Sequence, residues 1–366
     1  MDPRVEKVAD ILVNYSTEVK EGDFVIIRGS PEAEPLMLAT YKAVLAAGGY
    51  VAFDMAPTGA DEVFYKYANA DQLARPNAWR EKYFHEADVM IVLRASHNTK
   101  ALSQADPAKL AQYKAANRAL TDVYMRRAAE GELRWVLTQH PTQASAQDAE
   151  MSLAEYADFI YGASMVHLDD PVAHWQGVAE RQDKLVKWLA GKKQVRVTGE
   201  NIDLTLSIDG RTFINASGQR NFPDGEIFTG PVEESVNGWV RFTYPAVYNS
   251  REVEGVELKF EDGKVASATA ARGEDYLNSV LDTDDGARYL GEFAIGTNTG
   301  ITQFTRNILF DEKIGGTVHM AVGASYPDTG GLNKSAIHWD MICDMRSGGQ
   351  IHVDGELFYK DGEFVV

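Results

Sequence analysis

The spacing of apolar residues changes near the middle of the chain, and the change predicts two kinds of fold. Residues 1–19 repeat apolar positions at helical spacing, and 23–28 form a short apolar run. Helical spacing returns over 31–47 and stops at Gly48-Gly49, and 50–55 form a second run. Strand, helix and strand in that order make a β-α-β unit. A buried strand is predicted at 87–93, a helix at 110–129 and a short strand at 135–137, so the first half reads as α/β with a parallel sheet. Helical patterning continues through 148–162 and 171–189. Beyond Gly191 short alternating stretches take over, separated by turn residues at 199–201, 209–210 and 262–263, with helices expected at 274–280 and 301–309. That half reads as α+β, mainly antiparallel. Two domains are therefore expected, 1–190 and 191–366.

Within the second half, several apolar runs carry polar side chains on one face. In 338–344 His338 and Asp340 are two apart, so on a strand they leave one face while Trp339, Met341 and Cys343 leave the other. In 315–323 His319 shares its face with Thr317, Ala321 and Gly323, whose small side chains leave room beside it. In 291–296 Glu292 shares its face with Ala294 and Gly296, opposite Phe293 and Ile295. Glu312 precedes His319 by a short link, and Glu226 opens a strand just after the Asp224-Gly225 turn. Buried polar groups need partners. Two imidazoles and four carboxylates suit zinc, manganese or cobalt, with enough anionic oxygen to bridge two ions about 3.5–4 Å apart.

The ordered set of segments resembles the aminopeptidase T / aminopeptidase S group of dinuclear metallo-aminopeptidases. The likeness runs through Val-Lys-Glu-Gly-Asp-Phe-Val (19–25), Pro-Asp-Gly-Glu-Ile-Phe-Thr (223–229), Gly-Glu-Phe-Ala-Ile-Gly (291–296) and Leu-Phe-Asp-Glu (309–312). It continues through His-Met-Ala-Val-Gly-Ala-Ser-Tyr (319–326) and the His-x-Asp strand. Carried over by position, the resemblance implies metal ligands at Glu226, Glu292, Glu312, His319, His338 and Asp340. Glu292 would bridge two divalent ions (zinc, cobalt or manganese), and Tyr326 would stand beside them. It implies hydrolysis of the N-terminal peptide bond of peptides, with Tyr326 donating a hydrogen bond to the developing oxyanion. It also implies a homodimer. Because all six of these residues fall in the second half, the first domain is expected to be a cleft wall or an assembly surface.

Taken singly, each of these residues has an ordinary structural reading. A lone histidine can be a hydrogen-bonded core residue, Glu226 a turn-flanking carboxylate, and Tyr326 a packed loop aromatic. A second His-x-Asp, His352 and Asp354, reads as structural, because Asp354-Gly355 has the composition of a two-residue hairpin turn. A rival chemistry uses His319, His338 and Asp340 alone, the 2-His-1-carboxylate pattern of mononuclear iron ring-cleaving dioxygenases. Such a site has no need of the three glutamates. A metal-stabilised binding protein is a third reading, which would require a closed site.

Composition narrows the remaining classes. A net charge of −18 disfavours nucleic acid and anionic membranes as partners. The turn after the first strand, Arg28-Gly29-Ser30-Pro31, has neither a G-x-G-x-x-G nor a Walker lysine, which argues against a nucleotide. Neither H-E-x-x-H nor G-x-S-x-G occurs. The single cysteine, Cys343, lies on the core face of its strand, and no apolar run approaches the ~20 residues needed to span a bilayer. The amino terminus begins an amphipathic pattern with no apolar leader, and the expected location is the cytoplasm.

Overall fold

The computed structural model describes residues 2–249 and 251–366. Two compact units emerge. The first runs to Val172 and includes Gly218–Phe222, and the second comprises Ala173–Ser217 and Pro223–Val366. The boundary falls at 172, earlier than the expected 190, because the long helix Pro171–Leu189 packs with the second unit through Leu185 and Leu189.

The β-α-β unit of the first unit forms as expected. Phe24–Gly29 pairs in parallel with Tyr50–Met55, from Phe24 opposite Tyr50 to Gly29 opposite Met55, and the helix Glu34–Ala46 connects them. Val89–Arg94 and Arg134–Gln139 extend the parallel sheet on the other side, and the two-residue strand Asn221–Phe222 completes it. The helical stretch expected at 148–162 is two helices, Gln143–Asp148 and Leu153–Ala163. Ser152 starts the second with a capping box, its hydroxyl accepting from Glu155 N–H while the Glu155 carboxylate accepts from Ser152 N–H.

The second unit is built on two antiparallel sheets. One has eight strands, with Gln194–Gly199, Ile202–Ser207 and Gln350–Val353 near its middle. The other has five, in the order His338–Asp344, Thr317–Gly323, Leu290–Gly296, Glu226–Thr229 and Ile214–Ala216. Val197, Leu204, Val240 and Ile351 from the first sheet share one core with Phe293, Ile295, Val318, Met320, Trp339, Met341 and Cys343 from the second. Four of the five strands, all but Ile214–Ala216, thus spend one set of alternate side chains on the core, and burial of that face drives the sheet's formation. The opposite set is left for chemistry.

The helix Glu274–Leu281 forms where expected, whereas the one expected at 301–309 does not. Only Ile308–Asp311 is helical. The buried Asp311 carboxylate accepts from Thr305 N–H and Thr305 Oγ at 2.7 and 2.8 Å, and the Asn298 side chain accepts from Gly300 N–H. Asn, Thr and Asp side chains satisfy this backbone outside a helix, which outweighs the weak helical spacing. No helix among the described residues is long and apolar enough to cross a membrane.

Candidate metal centre

Four adjacent strands carry five of the six expected ligands on one face. Asp340 and Glu292 both pair with Ala321 on the strand between them. Next to this row His319 pairs with Ala294, His338 pairs with Gly323, and Glu226 pairs with Gly296. Every chemical side chain therefore has an alanine or glycine beside it in the neighbouring strand, so long polar side chains lean over small ones and converge.

Two glycines shape this face. Gly291 sits at an irregularity in the pairing of the Glu292 strand, and a Cβ there would lie 2.2 Å from the Ala324 carbonyl. Such a bulge re-aims the following side chain, here Glu292. Gly323, at φ +102°, brings the chain within 2.2 Å of where its Cβ would strike the Ile337 carbonyl, a position only glycine fits. Glu226 is anchored from behind by Gln182, whose amide donates to the Glu226 carbonyl at 3.0 Å and accepts from Thr297 Oγ.

Glu312 is the sixth member and comes from the turn after the short helix Ile308–Asp311. The six expected ligands fall into three overlapping groups, and within each group the possible donor atoms lie within 4.8 Å of one another: Glu226, Glu292 and His319; Glu292, His338 and Asp340; Glu312, His319 and Asp340. His319 Nε2 is 3.1 Å from Glu226 Oε2 and 3.5 Å from Glu292 Oε1, and His338 Nε2 is 3.1 Å from Glu292 Oε2 and 3.5 Å from Asp340 Oδ1. Yet Glu226 Oε2 and Asp340 Oδ1 are buried without a hydrogen bond of acceptable geometry. Carboxylate oxygens buried beside imidazoles without a hydrogen bond of their own are what a ligand set arranged around cations looks like, and two imidazoles with four carboxylates are the donor types divalent ions take. His338 Nδ1 lies 2.8 Å from the Ala324 carbonyl, which orients the ring and leaves Nε2 free to face the centre.

The electrostatics follow from burial and crowding. Burial alone would raise the Glu226 carboxyl, but the Lys313 ammonium and His319 outweigh it and hold Glu226 below the usual range. Glu292 is likewise held low by His319 and His338 against its burial. Glu312 is pushed up to about 8, because burial and the nearby Glu226 and Asp340 charges exceed the pull of Lys313. Both imidazoles are raised well above their ordinary value, since the carboxylates around them overcome burial.

Tyr326 stands at the edge, 42% exposed, with its ring edge-on to His338 at 5.1 Å and to Phe228 at 5.5 Å. Its phenol is pushed up by the protein packed around it and by the charges of Glu292, Asp340, Glu312 and Glu226, so it remains a donor. The second His-x-Asp is structural, as read: Asp354 and Gly355 both have positive φ and close the hairpin between Gln350–Val353 and Glu356–Lys360. Burial pushes the Cys343 thiol up to about 12. One member was not foreseen, Lys313, which is completely buried against Glu226 and Glu312. In Asp-Glu-Lys it reads as part of a solvated charge run; the apolar Phe310 and Ile314 around it were the available signal.

Fold and site together define a metal-dependent enzyme whose acidic centre lies on one face of an antiparallel sheet. The profile of the thermophilic metalloprotease (M29) family matches residues 1–364. Aminopeptidase 2 of Geobacillus stearothermophilus is 28% identical over 99% of this chain and 95% of its own. Aminopeptidase T of Thermus thermophilus is 26% identical over 98% and 95% respectively. The solved structure of wild-type AmpT from Thermus thermophilus superposes with a TM-score of 0.88 at 23% identity, covering 100% of this chain and 99% of that one. A 2,5-dihydroxypyridine dioxygenase from Pseudomonas putida KT2440 has a similar fold, with a TM-score of 0.61 at 12% identity over 100% of this chain and 98% of that one. The chain belongs to the thermophilic metalloprotease (M29) family, and it is a metal-dependent aminopeptidase.

Proposed function

We propose that this aminopeptidase acts through two divalent ions, zinc, cobalt or manganese, held by Glu226, Glu292, Glu312, His319, His338 and Asp340, with Glu292 shared between them. The observation that carries this reading is the overlap of the three ligand groups: Glu292, His319 and Asp340 each belong to two of them, so the donors exceed what one ion takes. When bound, the ions supply Lewis acidity, a water of lowered pKa and a point of attachment for the free α-amine of a peptide.

The chain's own residues contribute orientation and charge. Gln182 and the Ala324 carbonyl hold Glu226 and His338 in place, while Glu292 reaches both imidazoles from one carboxylate. Tyr326 keeps its proton and donates a hydrogen bond to the oxygen that gains charge as the peptide bond is attacked. Phe228 and the Tyr326 ring border the centre with apolar surface, which suits the first side chain of a peptide.

The mononuclear dioxygenase reading loses support because His319 and His338 fall in different three-residue groups among the described residues. A homodimer and a cytoplasmic location accompany the proposal. The family likeness supports the former, and a single buried free cysteine fits the latter.

Elemental analysis of the purified protein, paired with release of leucine from a leucyl peptide before and after chelation, tests the proposal. Two zinc, cobalt or manganese per chain with chelator-sensitive release is expected. One iron per chain without peptide cleavage would overturn it.

A further inference from the structure

Lys313 is the charged group at the centre that the catalytic reading does not use. It is 0% exposed, follows Glu312 directly, and is fixed by its backbone: its N–H donates to Phe310 O at 3.0 Å and its carbonyl accepts from Asn298 N–H at 3.0 Å. Its ammonium contacts Glu312 Oε1 and lies 3.5 Å from Glu226 Oε1. The second oxygen of Glu226, Oε2, is the one turned toward His319. Glu226 thus has one oxygen committed to Lys313 and the other turned to the ligand groups, and Glu312 has Oε1 committed to the same ammonium. The remaining group, Glu292, His338 and Asp340, has no member in contact with Lys313 among these ion pairs.

A carboxylate free to rotate can grip an ion with one oxygen or two, and the choice changes both coordination number and position. A cation of fixed location on one oxygen removes that freedom, and outer partners of this kind support metal affinity. We propose that Lys313 is a positioning residue that restricts Glu226 and Glu312 to one oxygen each, and thereby supports the ion held with His319, the residue common to the groups of Glu226 and Glu312, more than the ion at His338. The inference rests on the dinuclear reading above. It makes the two halves of the centre unequal in their dependence on an internal cation.

The test is calorimetric titration of the metal-free full chain with zinc, alongside the visible absorption of the cobalt-loaded protein. Wild type is expected to take two ions. Lys313→Met should weaken one of them by about 10–100-fold and the other less, and the cobalt spectrum should change mainly for the weakened ion. Circular dichroism establishes that the variant is folded. If Lys313→Met does not fold, Lys313→Gln, whose side chain is one atom shorter and uncharged, is titrated in its place with the same expectation of one ion weakened more than the other. Two ions bound with wild-type or tighter affinity in the folded variant would overturn the role of Lys313 alone, as would equal weakening of both. A wild-type protein that takes a single ion would overturn the dinuclear reading, and this inference with it.

Discussion

Glu292 and Asp340 face each other across Ala321, each paired with it from an opposite side of the same strand. The methyl group between them is the smallest side chain that keeps the strand regular while leaving the two carboxylates room to converge. Ala321 is 0% exposed, so nothing larger can be accommodated by turning outward. Ala321→Val should cost about 1–3 kcal/mol of stability from overpacking. By shifting both carboxylates it should lower kcat/KM by about 100-fold. Unchanged kinetics in a folded Ala321→Val protein would show that the row does not set the geometry.

Glu292 touches both histidines from one carboxylate, so it is the residue whose loss reaches every part of the centre. Glu292→Gln should abolish peptide cleavage and lower the affinity for both ions, while circular dichroism stays that of the wild type. Retention of two tightly bound ions would remove Glu292 from the shared position.

Tyr326 has no metal-ligating role in this reading, and its hydroxyl acts only as charge develops. Tyr326→Phe should reduce kcat by about 10²–10³-fold with metal content unchanged. A rise in KM with kcat intact would instead make the ring a wall for the substrate's side chain.

The metal-free protein should show a defined pH response. His319 and His338 have folded pKa values raised above the unfolded value, so their contribution to stability is complete below about pH 6.5 and is lost as pH rises through the folded values. Glu226 and Glu292 have depressed values, so theirs is present above about pH 4.5 and is lost as pH falls through the folded values. Thermal melts of metal-free protein should therefore decline on both sides of this window, toward acid and toward alkali. Added zinc should reverse the alkaline limb, because ions need deprotonated imidazoles, and stabilisation by ligand grows with affinity. A metal-free melting temperature that keeps rising through pH 9 would contradict the pairing.

Asp354 is the control. Its carboxylate accepts from Lys193 and Gln194 N–H and belongs to a hairpin turn, remote in role from the centre. Asp354→Asn keeps an acceptor and tolerates the same backbone, so kcat/KM and metal content should match the wild type. A large loss of metal would mean the wrong His-x-Asp had been chosen.

The alternation within each run was enough to determine which side chains share a face. His338 with Asp340, His319 with Ala321 and Gly323, and Glu292 with Ala294 and Gly296 follow from the two-residue period of a strand, and each face is as expected. The same local rule yields the parallel β-α-β unit, from apolar runs bounded by glycine, and the Asp354-Gly355 turn. Assigning the six ligands as a set came from the ordered segments that resemble the family.

Only the tertiary structure decided what lies beside what. Nothing local makes the Glu226 strand the neighbour of the Glu292 strand while Asn237–Arg241, which comes between them in sequence, joins the other sheet; that partition is set by how two apolar faces close over one core. The same closure buries Lys313 between two glutamates, although its immediate sequence looks solvated. It also leaves the stretch before Ile308 outside a helix, because Asp311 satisfies the Thr305 backbone there. Period and composition act over a few residues, whereas strand order, burial of charge and the convergence of ligands depend on contacts between distant segments.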